Sequence, residues 1–386
     1  MLRIAWFSPL LNSPSRGGSI SAYVTGELLP YLTRQFEIEL YHDAPGEQFH
    51  SCPVRHYLRA ARHHQQKPYD LFFYQLEDSP STNFSRIHLG LKPGVVLFHD
   101  VRFTTAVPET IRRGTNDAME SDYRSCVREA SYSVLSLFST ERNLEEFKSQ
   151  LQGLDGATRD YATGHCFHLP YPVSQTNADG RTFGKQAYTI GLCGGTSPEY
   201  LAFQVLPVLA EYQNQAKLVL LVDENERESA AALLNQFHIT HFELRSPRSP
   251  LAWKSLVSEL DIAIHPLYSA HRNFGPYLPI SLEGGVSVIA TNYGAVEYLP
   301  DNCLYRVCPG DNATHELRTL LSRLLGNAKV ESGSEVRCNG KLYAHEIHRT
   351  EKIAGELATL FNHYALTFKA ARLQWEASEE RYSHVY

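Results

Sequence analysis

Twice along this chain an unbroken apolar run leads into a glycine-bearing loop and then into a helical stretch. Leu2-Arg-Ile-Ala-Trp-Phe7 is followed by a loop rich in Pro, Ser and Gly, 8–19, and by a helical pattern over Ile20–Leu32 with Ser19 or Ser21 at its start. Tyr188-Thr-Ile-Gly-Leu-Cys193 runs into Gly194-Gly195-Thr196-Ser197-Pro198 and then a helix from Glu199. Strands without polar alternation are covered on both faces, and parallel neighbours need a crossover, normally a helix. The pattern therefore calls for a parallel sheet between helical layers, and its recurrence calls for two such sheets. Further strands are expected at 36–41, 70–75, 94–99 and 133–138, the last followed by a helix from Thr140. The second half adds strands at 216–222, 240–244, 260–265 and 286–291, with helices near 226–237 and from Leu251. At 386 residues the chain exceeds what one hydrophobic core organises. The expected class is α/β, with two Rossmann-like doubly wound domains facing a central cleft. The expected division is 1–170, a Pro-, Asn- and Gly-rich linker 171–186 that suits a hinge, 187–342, and a helical segment 343–386 packing back on the N-terminal domain.

Composition narrows the partners. Hydrophobic residues make up 43% and charged residues 20%, a globular balance. The net charge is −6 and neither half has a basic excess, so a nucleic-acid partner is not expected. One cluster runs the other way: Arg55, Arg59, Arg62, His63, His64 and Lys67. It reads first as a solvated helix face, and otherwise as a contact for an anionic acceptor or a membrane surface. The seven cysteines form no CxxC pair and are odd in number, which fits reduced thiols in a cytosol. The opening apolar run is broken at once by Ser8, Pro9, Asn12 and Pro14, unlike a secretory signal. No run approaches the ~20 apolar residues of a membrane span. A cytoplasmic location is expected, with any membrane contact peripheral and at the inner face.

Open parallel sheets bind ligands beyond the carboxyl ends of their strands, which selects the residues to weigh. Gly17 and Gly18 let backbone amides approach an oxyanion beside a helix start; the plainer reading is a flexible turn. His99 and Asp100 end a strand, where an imidazole and a carboxylate can meet sugar hydroxyls; they can equally serve as a polar strand cap. Gly195 and Thr196 offer the matching amides in the second half. Between the last two expected strands lie Arg272, Asn273, Phe274 and Gly275, then Glu283; Tyr293 and Gly294 follow the last strand. Arg245 and Arg248 follow the strand 240–244, where they can reach a phosphate, a ribose or a base. Arg16 and Arg102 are further cations of the same kind, and each has the ordinary reading of a surface arginine. No paired acidic motif follows a strand, so no metal and no cofactor are expected.

Together these segments resemble a known family. "LRIAWFSPLLNSPSRGGSISAYVTGELLPYL", "YDLFFYQLEDSPSTNF", "GVVLFHDVRF", "YTIGLCGGTSPEYLAFQVLPVLAEY" and "LDIAIHPLYSAHRNFGPYLPISLEGGVSVIATNYGAVEYL" resemble, in order, the segments of family 4 (group 1) glycosyltransferases with the GT-B fold. The resemblance implies transfer of a sugar from a nucleotide-diphosphate sugar to an acceptor hydroxyl on a glycan, lipid-linked or protein acceptor. It implies retention of configuration without a metal. Gly17 and Gly18 would meet the donor, His99 the transferred sugar, and Gly195, Thr196, Tyr293, Gly294 and Ala295 the diphosphate. The chain departs from the family pattern at the donor site. Gly195 and Tyr200-Leu201 stand where an Arg and a Lys are usual. Asn273 and Ser281 stand in place of the two glutamates of an E-x7-E pair, with Glu283 out of register. Two other readings therefore stay open: an inactive relative serving as a binding or scaffold partner, and a nucleotide-sugar epimerase.

Overall fold

Every apolar run read as a strand lies in a parallel sheet, in a computed structural model that describes residues 1–10, 19–44, 48–103, 124–175, 188–194, 202–269, 273–326 and 334–383. In the first unit β1 (Arg3–Phe7) is buried along its whole length and pairs parallel with β2 (Glu37–His42) and β5 (Leu71–Leu76). The sheet continues through β4 (Cys52–His56), beyond β2, and through β6 (Gly94–Phe98), β9 (Ser133–Phe138) and β10 (Cys166–His168) on the other side. A short β3 (Gln48–Phe49) closes the edge antiparallel to β4, and β7 (Arg102–Phe103) and β8 (Arg124–Ser125) form a separate ribbon. Alternate residues face opposite helical layers. Phe7, Phe72 and Tyr74 pack on one side against His88 of α3 (Asn83–Leu89), while His64 of α2 (Ala60–Gln66) meets Phe72. Trp6 and Phe73 pack on the other, where α1 (Ile20–Leu32) lies. The remaining helices of this part are α4 (Val127–Ala130), α5 (Glu141–Gln150) and α6 (Gly156–Gly164).

The second unit has the sheet order β13-β12-β11-β14-β15-β16, all parallel. Its strands are β11 (Tyr188–Leu192), β12 (Ala216–Leu221), β13 (Phe242–Arg245), β14 (Ile262–His265), β15 (Ser287–Thr291) and β16 (Tyr305–Val307). Ile190, Leu192, Leu218, Leu220, Ile262 and Ile264 form one core face with α7 (Ala202–Glu211) and α11 (Ala313–Leu325). α8 (Arg227–Gln236) follows β12. On the opposite face Trp253 of α9 (Pro250–Val257) is fully buried and donates to Ser281 of α10 (Tyr277–Glu283). α12 (Ser334–His348) also packs on α10.

The units are Met1–Pro172 with Thr350–Tyr386, and Val173–Arg349. The chain leaves the first unit at Pro172 and re-enters it at Thr350. Within the second unit Val173 and Arg349 form a parallel bridge, with Val173 N donating to His348 O at 2.7 Å. Most of the expected linker, 176–187, lies outside the described residues. The C-terminal helical stretch is two helices: α12 belongs to the second unit, and α13 (Thr350–Ser383) to the first. Phe361 of α13 is fully buried, edge-on to Phe36 at 5.7 Å and Phe73 at 5.4 Å. Among the described residues no helix is long and apolar enough to cross a membrane.

The basic cluster does not form one helix face. Arg55 is on β4, Arg59 ends a single helical turn, and only Arg62, His63 and His64 lie on α2. His64 is buried, its Nδ1 accepting from Tyr69 N at 3.0 Å, and Lys67 pairs with Glu37 at 2.7 Å. Six described strands escape the sequence reading, among them the two-residue β3, β7 and β8. β4 carries Pro53 and Arg55, and β10 and β16 are three residues each, too short for a period to register.

Candidate functional site

In each sheet the chain order reverses beside the first strand, between β1 and β5 and between β11 and β14. The carboxyl ends there are where a doubly wound unit receives ligands.

At the first switch point a buried polar chain begins at the Trp6 indole, which can only donate. It donates to Thr25 Oγ1 at 3.0 Å, Thr25 donates to Ser8 Oγ at 2.8 Å, and Ser8 donates to Pro9 O at 2.9 Å. With those hydroxyls accepting, Gln75 Nε2 donates to Thr25 Oγ1 at 2.6 Å and to Ser8 Oγ at 3.3 Å. That leaves Gln75 Oε1 to accept from His99 Nε2, 2.9 Å away, and His99 Nδ1 to accept from Ser139 Oγ at 2.7 Å. His99 is fully buried and its ring stacks on Tyr171 at 5.7 Å. Burial pushes its pKa down to about 3, so the ring is neutral. The expectation that His99 projects toward a sugar is thus corrected. Both ring nitrogens are occupied inside the unit, and the side chain braces the strand ends from within. Its carbonyl accepts from Asn143 Nδ2 at 2.8 Å. The neighbouring Asp100 is half-buried and accepts from Asp78 N at 2.8 Å.

Glu77 is a second residue the motif reading passed over. Its buried carboxylate accepts from Ser19 Oγ at 2.8 Å, Ser81 Oγ at 2.9 Å and Ser21 N at 3.0 Å. Ser19 is the N-cap of α1, taking Ala22 N at 3.1 Å. The positive end of α1 is therefore already matched by an internal anion, and a phosphate brought there would meet a like charge. Gly17 and Gly18 lie outside the described residues. The signal for Gln75 and Glu77 was in the sequence: they interrupt the otherwise apolar run that begins Leu71-Phe-Phe-Tyr.

In the second unit Gly275 (φ 57°) and Gly294 (φ 67°) occupy left-handed backbone conformations that explain why glycine stands there. Gly294 N donates to Glu297 Oε2 at 2.9 Å. Arg306 of β16 clamps the loop after β15, donating to Asn292 Oδ1 at 2.9 Å, Val296 O at 2.5 Å and Leu299 O at 2.6 Å. Tyr293 meets Tyr268, which follows β14, edge-on at 4.6 Å; Tyr268 is exposed. Phe274 is buried, edge-on to His265 at 5.6 Å, and Asn273 beside it is half-buried. These residues of β14, β15 and the start of α10 are brought to one edge of the sheet.

Other expected residues are placed differently. Glu283 ends α10, and crossover helices run opposite to the strands, so it sits at the far edge from the ligand side. Burial raises its pKa, against the influence of Lys341, His345 and Lys254. Ser281 is fully buried, accepting from Trp253 Nε1 at 2.9 Å and lying 2.9 Å from His265 Nε2. Arg245 pairs with Glu259 at 2.8 Å and Glu243 at 2.6 Å, bonds that raise its own pKa and hold Glu243 down to about 2 together with Lys217. Arg248 pairs with Glu226 at 3.1 Å and Asp223 at 3.3 Å, and Arg102 pairs with Glu146. These three guanidiniums would have to exchange a carboxylate for a phosphate. Gly195, Thr196 and Arg272 lie outside the described residues.

No family model matches the chain, and no curated protein sequence matches it. Solved structures do resemble it over nearly its whole length. Sucrose-phosphate synthase from Thermosynechococcus elongatus is 12% identical, with a TM-score of 0.69 over 95% of this chain and 100% of that one. Anabaena HepE in complex with UDP-glucose is 13% identical, with a TM-score of 0.67 over 94% of this chain and 100% of that one. WaaG, a glycosyltransferase involved in lipopolysaccharide biosynthesis, is 14% identical, with a TM-score of 0.62 over 92% of this chain and 98% of that one. The fold of this chain is the GT-B fold of the glycosyltransferases.

Proposed function

We propose that the protein transfers a glycosyl group from a nucleoside-diphosphate sugar to an acceptor hydroxyl on a glycan, lipid-linked or protein acceptor, with retention and without a divalent metal. The observation that carries this reading is the Tyr293–Gly294 loop, set in a left-handed turn and clamped by Arg306 at the carboxyl edge of β15. The GT-B fold, shared with a protein solved with UDP-glucose, supports a donor of that class. In the proposed reaction the bond from the anomeric carbon to the leaving diphosphate breaks and one to the acceptor oxygen forms. The acceptor proton passes to the leaving phosphate. Charge growing on the diphosphate would be met by the amides of Gly195, Thr196 and Ala295, by that of Gly294 on leaving Glu297, and by Arg272. Asn273, Phe274 and Gly275 would hold the transferred sugar, and Asp100 would accept from a substrate hydroxyl. His99 would act on Asp100 by fixing the strand end. Arg245 and Arg248 would take part only by leaving their carboxylates. Buried free cysteines suit a reducing compartment, and we place the reaction in the cytosol.

One observation favours a second reading, a binding protein without turnover: Ser281, where the family carries a carboxylate, is sealed against Trp253 and His265. Calorimetric titration with UDP, GDP, ADP and TDP in the presence of EDTA tests the first reading. One of them is expected to bind, and its glucose or related ester to be turned over with an acceptor. Binding without any turnover or donor hydrolysis would favour the second reading. Strict dependence on magnesium or manganese, or no binding at all, would refute the proposed donor site.

A further inference from the structure

One surface of the first unit combines exposed aliphatic side chains with cations. The turn Tyr57–Arg59, α2 and α3 form one layer over the sheet: Tyr57 packs on Phe84 at 5.6 Å, and His64 and His88 both pack on Phe72. The outward residues of this layer include Leu58, 72% exposed, Ile87, 58%, and Leu91, 56%. Ile87 is on α3, and Leu91 lies in the turn that follows it, its N donating to His88 O at 2.9 Å. Leu58 is flanked in the chain by Arg55, Arg59 and Arg62, all exposed. No Asp or Glu occurs between Ser51 and Tyr69, nor between Ser79 and His99, in a chain whose net charge is −6.

We propose that this layer docks on an anionic lipid bilayer, with Leu58, Ile87 and Leu91 entering the headgroup boundary and Arg55, Arg59 and Arg62 meeting lipid phosphates. Three features select a bilayer. Exposed aliphatic groups gain by leaving water, which a phosphate backbone does not offer them. Arginines set beside leucines match the apolar-plus-basic pattern of interfacial binding, whereas the core of a protein interface is depleted of charge. The layer's own chain segments carry no carboxylate, and those that reach it from elsewhere, Glu37, Glu39 and Glu129, are paired with Lys67, His63 and Arg86, which lessens the repulsion from anionic lipid. This inference is independent of the donor site, because it concerns the outer face of a helical layer and not the strand ends.

Flotation of the full-length protein with vesicles tests it. The protein is expected to float with phosphatidylcholine vesicles containing phosphatidylglycerol, to float less as salt rises, and to stay behind with phosphatidylcholine alone. Arg59→Ala and Arg62→Ala should each weaken binding about fivefold, the effect of removing one basic residue near such a surface. The triple change Leu58→Ser, Ile87→Ser, Leu91→Ser should abolish flotation, while Leu342→Ser, an equally exposed residue of the second unit, should leave it unchanged. Thermal melts establish that each variant is folded. The proposal fails if the wild-type protein does not float with the anionic vesicles, or if the arginine and leucine variants float as it does. It fails equally if this surface captures single-stranded RNA, or a second copy of the chain by sedimentation, and not the vesicles.

Discussion

His99 has both ring nitrogens bonded and no exposed surface, so its removal should be read first as a loss of structure. His99→Ala would leave Gln75 Oε1 and Ser139 Oγ short of a partner in the interior and take a ring from Tyr171. Destabilisation of about 2–4 kcal/mol is expected, with activity falling only in step with folded protein. A denaturation curve and a nucleotide titration on the same sample separate this from a direct role; unchanged stability would overturn it. Three imidazoles also set a pH dependence. Burial holds His88, His99 and His265 at about 3, against about 6.5 in an unfolded chain. Between those values the unfolded chain binds more protons than the folded one, so stability rises with pH across that window. It should be complete above pH 7 and fall on acidification, by up to about 1.4 kcal/mol per pH unit for each histidine. Urea midpoints at pH 7, 5 and 4 would check it, and a midpoint independent of pH would refute it.

At the level of single elements, α1 depends on two groups that cap it from different distances. Ser19 is a local N-cap, and Glu77 reaches the same turn from the end of β5. Ser19→Ala should cost about 1 kcal/mol, as loss of a capping hydroxyl does. Glu77→Gln keeps the shape but removes the charge facing the helix start and turns one acceptor into a donor. A loss of about 1–3 kcal/mol is expected. Hydrogen exchange at the first turn of α1 reads the effect locally; unaltered protection there would show that the carboxylate is not the cap. The short strands belong at this scale too. β4, β10 and β16 take their conformation from a neighbouring ladder, and so leave almost no trace in composition.

For the molecule as a whole, the return of the chain at Thr350 makes the first unit discontinuous. Deleting 350–386 would remove α13 with its fully buried Ile353, Leu357 and Phe361, and uncover Phe36 and Phe73, on which Phe361 packs. Calorimetric scans of the deletion should show the transition of the first unit at much lower temperature, and that of the second unit retained. A single unshifted transition would mean that α13 contributes little. The amino-acid order by itself determined the two-fold succession of strand, loop and helix, because parallel strands covered on both faces must be apolar throughout and must be joined by crossovers. It also narrowed the start of α1 to Ser19 or Ser21, of which Ser19 makes the capping bond, three residues long. Only the tertiary structure decided what the polar residues at the strand ends do. Gln75, His99 and Ser139 meet across three strands, Glu77 returns to Ser19 and Ser21, and Arg245 and Arg248 turn to carboxylates 14 and 22 residues away. Periodicity records which face of an element is buried, but not which distant group waits there. A strand-end histidine therefore looks the same in sequence whether it faces a sugar or, as here, the interior.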